Sequence, residues 1–312
     1  MEKAVILVSV PLTDKELENM KSKTSKYEVI KLEDFKGSID RVEVMYGWDE
    51  TIGKKILMSP TSCLKWIQAQ SSGVDHLDLE TIKKRQIILT NASGVHINQL
   101  SESILGMIFA HTRNLKEAAV NQEKSLWKKP KTGTDLFGKT IMIVGTGHIG
   151  ERLAEILKVF HTKIIGVNRS GRKVPGFDDI LTQENIKQRL KEADIVIGLL
   201  PGTDETQYFF SSTLFEEMKE GVIFINVGRG STVKTADLID YCQNGKIAFA
   251  GLDVFEIEPL PENSPLWKLD NVLITPHSSG ISDQYYKRLY PIFMENLCSY
   301  IEKKKVIKNE IN

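Results

Sequence analysis

Thr140-Ile-Met-Ile-Val-Gly-Thr-Gly-His-Ile-Gly150 is the stretch around which the chain is read. Four apolar residues run directly into Gly145-x-Gly147-x-x-Gly150, and behind them Leu153, Ile156, Leu157 and Phe160 recur at helical spacing. That is a strand, a tight turn and a helix. In such a unit the first glycine permits the turn, the second lets a pyrophosphate approach the backbone, and the third lets helix pack on strand. The helix start offers unpaired N–H groups and a positive dipole end to phosphate. An ordinary glycine turn is the plain alternative; the strand before and the helix after favour a dinucleotide site.

The rest of the composition is that of an ordinary soluble protein. With 312 residues the chain is long enough for two domains, and its 41% hydrophobic and 26% charged residues are ordinary. Lys+Arg and Asp+Glu both number 41, so no basic excess points to nucleic acid. Ala4 to Val10 is too short an apolar run for a signal sequence or a membrane span and reads as a first buried strand. Cys63, Cys242 and Cys298 have no metal-ligand spacing, and their odd number suits no complete disulfide framework. A reducing cytoplasm is the expected setting.

Taken in order, short β-rich runs alternate with helical patterns, the signature of parallel sheets. Ala4–Val10, Tyr27–Leu32, Val42–Trp48, Leu64–Gln70 and Ile87–Asn91 are strand candidates, and Thr13 with Glu16 has capping-box spacing. A long amphipathic pattern from Ile97 to about Ala119 predicts one connecting helix, and Asn121–Phe137 a loop wrapping back. After the glycine motif, strands are expected at Lys163–Val167, Asp194–Leu200, Val222–Val227, Ala248–Val254 and Val272–Ile274. A final helix, Ser282 to about Lys304, carries Pro291 as a point of kink or break. The expected fold is α/β: two Rossmann/flavodoxin-like, doubly wound parallel-sheet domains with a cleft between them. Residues 1–96 with 281–312 would form the substrate side, and 97–280 the dinucleotide side.

Cofactor type turns on the end of the second Rossmann strand. A carboxylate about 20 residues past the glycines would grip the ribose hydroxyls. Here Asn168 occupies that position, followed by Arg169, Ser170, Gly171, Arg172 and Lys173; Asp178 and Asp179 are too far along. Asn168, Arg169 and Ser170 suit a ribose 2′-phosphate, so NADP is favoured over NAD. A solvated basic turn is the plainer alternative.

Three later motifs bring in a family resemblance: Asn226-Val-Gly-Arg229-Gly230, Gly251-Leu-Asp253-Val-Phe-Glu-Ile-Glu258-Pro259 and Thr275-Pro-His277. With Leu136-Phe-Gly-Lys139 and Leu200-Pro-Gly-Thr-Asp-Glu-Thr206, this order resembles the D-isomer-specific 2-hydroxyacid dehydrogenases across nearly the whole chain. The resemblance implies a catalytic set of Arg229, Glu258 and His277. It implies cofactor contacts from the glycine loop (Gly145, Thr146, Gly147, His148, Ile149, Gly150), from Leu200, Pro201, Thr206 and Val227, and from Asp253 toward the nicotinamide carboxamide. Ser72, Gly73 and Val74, in Gln70-Ser-Ser-Gly-Val-Asp75, resemble the substrate-carboxylate loop, with Asp75 as a candidate helix cap. Dimers built through the nucleotide domain are also implied, and the apolar residues of 97–137 agree with a two-fold homodimer.

The chemistry fits those residue types. Reducing a small 2-oxo acid needs a hydride donor, a proton donor and a cation for the carboxylate. Histidine titrates near neutral pH and can give and take back a proton, which suits His277. Glu258, nineteen residues upstream, would orient the ring through its other nitrogen. The guanidinium of Arg229, after a strand end, would hold the carboxylate and polarise the carbonyl. A surface histidine, a loop-start glutamate and a helix-entry arginine are the plainer readings of the three taken singly; together they point to one site. Two other functions use the same scaffold: a dinucleotide-sensing regulator, which needs no proton donor, and a formate- or phosphite-type dehydrogenase. Glutamate at 258 argues against the formate type, whose pattern has glutamine there, while phosphite oxidation would keep the same three residues. Ser278-Ser-Gly280 departs from the commoner glycine-rich version and leaves substrate preference open.

Overall fold

The computed structural model describes residues 3–311. The chain folds as two compact units: residues up to His96 join those from Ser282 onward, and Ile97–Ile281 form the other.

In the first unit Ala4–Val8 (β1), Tyr27–Lys31 (β2), Val42–Tyr46 (β3), Trp66–Gln68 (β4) and Ile88–Thr90 (β5) form a parallel sheet. Its order, β2-β1-β3-β4-β5, is that of flavodoxin-like folds. The helices Asp14–Lys23 (α1), Glu50–Met58 (α2) and Leu79–Lys84 (α3) make three of the four crossovers, and β2 reaches β3 through the short turns Leu32–Asp34 and Ile39–Arg41. The Thr13/Glu16 capping box is formed at α1. Asp78 caps α3, where Asp75 had been the candidate; it lies directly before the first helical turn and its carboxylate reaches the N–H of Thr81.

Successive residues of β1 face opposite sides, so an apolar run serves two cores. Ile6 and Val8, with Tyr46 and Trp66, pack against the C-terminal helix Tyr285–Lys303 through Leu289, Phe293, Leu297 and Tyr300. The Tyr46 and Phe293 rings stack at 3.8 Å. Val5, Leu7, Met45 and Ile67 pack on the other side with Ile56 and Leu57 of α2. The C-terminal helix continues through Pro291 as one element, so the expected break is absent. Beyond it, Glu310 bridges Thr90 and the N–H of Ile311 donates to Leu89 at 2.8 Å, covering the outer edge of β5. One polar cluster ties the same helix to the sheet: Glu43 Oε1 accepts from Tyr27 (2.8 Å), Tyr300 (2.9 Å) and Lys304 (2.7 Å).

The second unit holds seven parallel strands: Thr140–Val144 (β6), Lys163–Asn168 (β7), Asp179–Thr182 (β8), Ile195–Gly198 (β9), Val222–Asn226 (β10), Ile247–Leu252 (β11) and Val272–Ile274 (β12). Their order is β12-β11-β10-β9-β6-β7-β8, and the winding reverses between β6 and β9, where ligands bind in open α/β sheets. β8 was not expected; its four residues include no buried apolar run. The helices are Ile97–Thr112 (α4), Leu115–Glu123 (α5), His148–Lys158 (α6), Ser212–Phe215 (α7) and Thr235–Gln243 (α8). The single helix expected over 97–119 is therefore two. Asn114, with φ of 56°, turns the chain through the left-handed region between α4 and α5. α5 also takes up the first residues of the expected 121–137 loop.

Candidate active site

β6 is buried from Ile141 to Val144 and delivers the chain into the glycine loop at the C-terminal edge of the sheet. Gly145 has φ of +113°, and a Cβ there would lie 2.9 Å from the carbonyl of Leu199. A Cβ on Gly150 would lie 2.3 Å from the carbonyl oxygen of Gly145. The fold itself therefore demands these two glycines. Gly147 differs: a Cβ there would meet nothing within 4 Å, and no side chain caps α6 behind it. Open space over an uncapped helix start fits a phosphate held against the backbone. Thr146 is buried, Ile149 half-buried, and His148 exposed at the first position of α6.

The turn expected to meet the ribose lies after β7. Asn168 donates through Nδ2 to Thr146 Oγ1 (3.0 Å) and to the carbonyl of Arg172 (2.9 Å). Its Oδ1 is buried with no partner among the described residues, an acceptor suited to a ribose hydroxyl. Ser170 Oγ accepts from the N–H of Arg172 at 3.4 Å. Asp178 lies at the opposite end of the strand, bonded to Lys158 and to the N–H of Ile164. Arg169 is paired at 2.7 Å with Glu205. No local reading of the 168–173 turn could find that acid, because Glu205 comes from the segment after β9.

That segment is fixed from within. Thr206 Oγ1 donates to the carbonyl of Pro201 at 2.6 Å, and Leu200 and Val227 are buried. Arg229 is held between close approaches: a Cβ on Gly228 would lie 2.6 Å from the Leu200 carbonyl, and one on Gly230 would overlap Phe255. Its Nη1 donates to the carbonyl of Gly228 at 2.9 Å.

Glu258 and His277, far apart in sequence, meet: His277 Nδ1 lies 2.7 Å from Glu258 Oε2. Glu258 Oε1 accepts from the N–H of Phe255 at 2.9 Å, which fixes the carboxylate. Against a carboxylate Nδ1 is the donor, leaving Nε2 as the outer nitrogen. His277 has φ of 50°, and its N–H donates to the carbonyls of Asp253 (2.8 Å) and Thr275 (3.0 Å). The carboxylate of Asp253 is buried and accepts from Thr275 Oγ1 (2.5 Å), Ser278 N (2.9 Å) and Ser279 N (3.2 Å). Asp253 thus shapes the His277 loop, a task its sequence motif did not disclose. Because the backbone of Ser278 and Ser279 makes those bonds, glycines there would serve as well.

In the first unit, the loop after β4 has all its carbonyls tied back. Ser71 O accepts from Ala92 N (3.0 Å), Ser72 O from Asn91 Nδ2 (2.7 Å), and Gly73 O from Ser71 Oγ (2.7 Å). Ser72 Oγ donates to the carbonyl of Ala92 at 3.1 Å. The N–H groups of Ser72, Gly73 and Val74 meet no acceptor among the described residues. This pattern can take an anion. Tyr285 of the C-terminal helix donates to the carbonyl of Gln70 and braces the loop start.

Two family models match the chain, the D-isomer specific 2-hydroxyacid dehydrogenase catalytic domain over residues 5–169 and the NAD binding domain over 105–279. The chain belongs to the D-isomer-specific 2-hydroxyacid dehydrogenase family. It is thus an NAD(P)-dependent oxidoreductase of that family. Among its relatives, a glyoxylate reductase of Thermofilum pendens is 34% identical over 252 residues, 79% of this chain and 74% of that protein. A D-isomer specific 2-hydroxyacid dehydrogenase family protein from Aeromonas salmonicida superposes with a TM-score of 0.87 at 31% identity, covering 100% of this chain and 99% of that one. A probable 2-hydroxyacid dehydrogenase from Rhizobium etli, solved with NADP, HEPES and tartaric acid, gives 0.77 at 25% identity, covering 100% and 98%. No helix among the described residues is long and apolar enough to cross a membrane.

Proposed function

We propose that this dehydrogenase reduces a small 2-oxo acid of the glyoxylate or hydroxypyruvate class to the D-2-hydroxy acid, and catalyses the reverse, with NADPH preferred to NADH. The observation that carries the reading is the chain of contacts from Gly230 to Phe255, from Phe255 to Glu258, and from Glu258 to His277 Nδ1 at 2.7 Å. It supports reading Glu258 and His277 as a proton-donor pair, on a loop that packs against the residue after Arg229. The dinucleotide, when bound, supplies the hydride. His277 Nε2 gives its proton to the carbonyl oxygen as the alcohol forms, and takes it back in reverse. Glu258 keeps the ring in one orientation, and Asp253 holds the loop that carries it. Arg229 grips the substrate carboxylate with its planar fork. The amides of Ser72, Gly73 and Val74 are the first unit's own candidate for a substrate carboxylate.

Gly145 to Gly150 cradle the pyrophosphate, Asn168 takes a ribose hydroxyl, and Arg169 with Ser170 the 2′-phosphate. Leu200, Pro201, Thr206 and Val227 line the remaining wall. The names of the Thermofilum pendens and Rhizobium etli proteins support the substrate class and the phosphorylated cofactor. A second copy of the chain covers the exposed apolar residues of α5 and the following segment: Leu115, Val120, Leu126 and Trp127. The test is cofactor oxidation with NADPH and NADH across glyoxylate, hydroxypyruvate, pyruvate and bulkier 2-oxo acids. Turnover of none of them, with nucleotide still bound, would overturn the proposed substrate class.

A further inference from the structure

We propose that Glu205 is a specificity-determining residue of the nucleotide site: by holding Arg169 in an ion pair, it restrains the preference for a 2′-phosphate. This rests on the reading of the 168–173 turn as the 2′-phosphate end.

In the sheet, β7 and β9 flank β6 on either side. Arg169 follows β7 and Glu205 follows β9, so their 2.7 Å pair links the two loops that border the glycine loop. The two partners are mounted differently. Glu205 sits in the short turn Asp204–Thr206, which is anchored by Thr206 Oγ1 on the Pro201 carbonyl (2.6 Å) and by the Thr203 N–H on Thr206 Oγ1 (2.9 Å). Arg169 is a long arm on an exposed turn, and both charged groups are largely in water, at 79% and 69% exposure. Such a pair is weak and exchangeable. Arg172 and Lys173 have no carboxylate partner among the described residues, so Arg169 is the cation of this turn that an acid already engages.

Taking a 2′-phosphate at Arg169 therefore means exchanging one anion for another, with Glu205 left nearby as a like charge. An unphosphorylated ribose demands no exchange. Asn168 Oδ1 serves its hydroxyls while Arg169 stays on Glu205. The acid thus acts against the phosphorylated nucleotide only, an internal competitor fixed to the protein.

The experiment is calorimetric binding of 5′-AMP, 2′,5′-ADP, NADH and NADPH to the full chain at low ionic strength. The proteins compared are wild type, Glu205→Gln, Arg169→Ala and the double variant. Glu205→Gln should tighten 2′,5′-ADP and NADPH by about three- to tenfold, the range that a freed exposed cation and one removed like charge supply. It should leave 5′-AMP and NADH within about twofold, and the gain should fall by at least half in the Arg169→Ala background. Equal effects on phosphorylated and unphosphorylated ligands, or no effect on either, overturn the role of Glu205. If wild type already prefers 2′,5′-ADP and Glu205→Gln changes nothing, the NADP reading stands and this inference falls. If wild type shows no preference and Glu205→Gln creates one, the inference holds and the NADP preference of the native chain falls.

Discussion

Glu258 holds His277 by one oxygen and is itself held by the other: Oε2 meets ring Nδ1 at 2.7 Å while Oε1 accepts from the Phe255 N–H at 2.9 Å. The ring is thereby oriented by a carboxylate that cannot swing away. His277→Asn is expected to lower turnover by about a hundredfold or more, the scale of a lost general acid, with nucleotide affinity near wild type. Glu258→Gln should lower kcat by about tenfold or more with little change in KM. Single-turnover kinetics check both, and a His277→Asn protein keeping more than about a tenth of the wild-type chemical rate would remove the assignment.

Arg229→Lys keeps the charge but loses the fork. The expected outcome is a fall in kcat/KM for the oxo acid of about tenfold or more, with the nucleotide dissociation constant unchanged. Unaltered steady-state kinetics would transfer the carboxylate to the amides of Ser72–Val74 alone.

The glycines of the loop should separate by mutation. Gly145→Ala meets both φ of +113° and the Leu199 carbonyl at 2.9 Å, so a loss of about 2 kcal/mol or more in urea unfolding is expected. Gly147→Ala meets nothing within 4 Å, so stability should hold while nucleotide affinity drops. Equal destabilisation by the two changes would show that Gly147 is there for the fold.

The Glu43 cluster should make the first unit sensitive to pH. Burial alone would raise the Glu43 carboxyl, but hydrogen bonds from Lys304, Tyr27 and Tyr300 outweigh it and hold the group below its ordinary range. A depressed carboxyl stabilises the fold above its unfolded pKa, and that share disappears as pH falls through the folded value. Burial lowers Lys304, and its bonds to Glu43 and Tyr27 more than reverse this, so its contribution is present below the unfolded pKa and lost at high alkalinity. Glu43→Gln should cost about 1–3 kcal/mol at neutral pH and flatten the acid limb of the stability profile. Chemical denaturation at pH values from about 3 to 7 checks this; parallel limbs for the two proteins would refute it.

Trp127 is 95% exposed, with Leu126 beside it at 54%. Light scattering at micromolar concentration should give twice the 35.2 kDa chain mass, and Trp127→Glu should shift the population toward the single chain. A monomer in the wild type would refute the proposed homodimer.

The glycine loop was legible because strand, turn and helix are contiguous there. The Thr13/Glu16 cap was legible because it is local. β8 escaped because a short edge strand with half-exposed residues carries no buried apolar run. The break between α4 and α5 depends on one left-handed residue, Asn114, which the apolar residues on either side do not reveal. Glu205 and the bracing role of Asp253 depend on which loops the sheet order makes neighbours. His277 and Glu258 were readable as residues, but their 2.7 Å contact follows from the loops after β11 and β12, which run on adjacent strands.

The C-terminal helix also dictates an order of assembly. During synthesis the residues of β1 to β5 leave the ribosome first, yet Tyr46 and Trp66 lack the cover of Phe293, Leu297 and Tyr300 until the whole 97–281 unit has followed. The later-made unit is the one that can close on its own while the chain is still growing. The earlier one waits with an open aromatic face, and nascent chains halted before Tyr285 should be the form that chaperones capture and proteases cut.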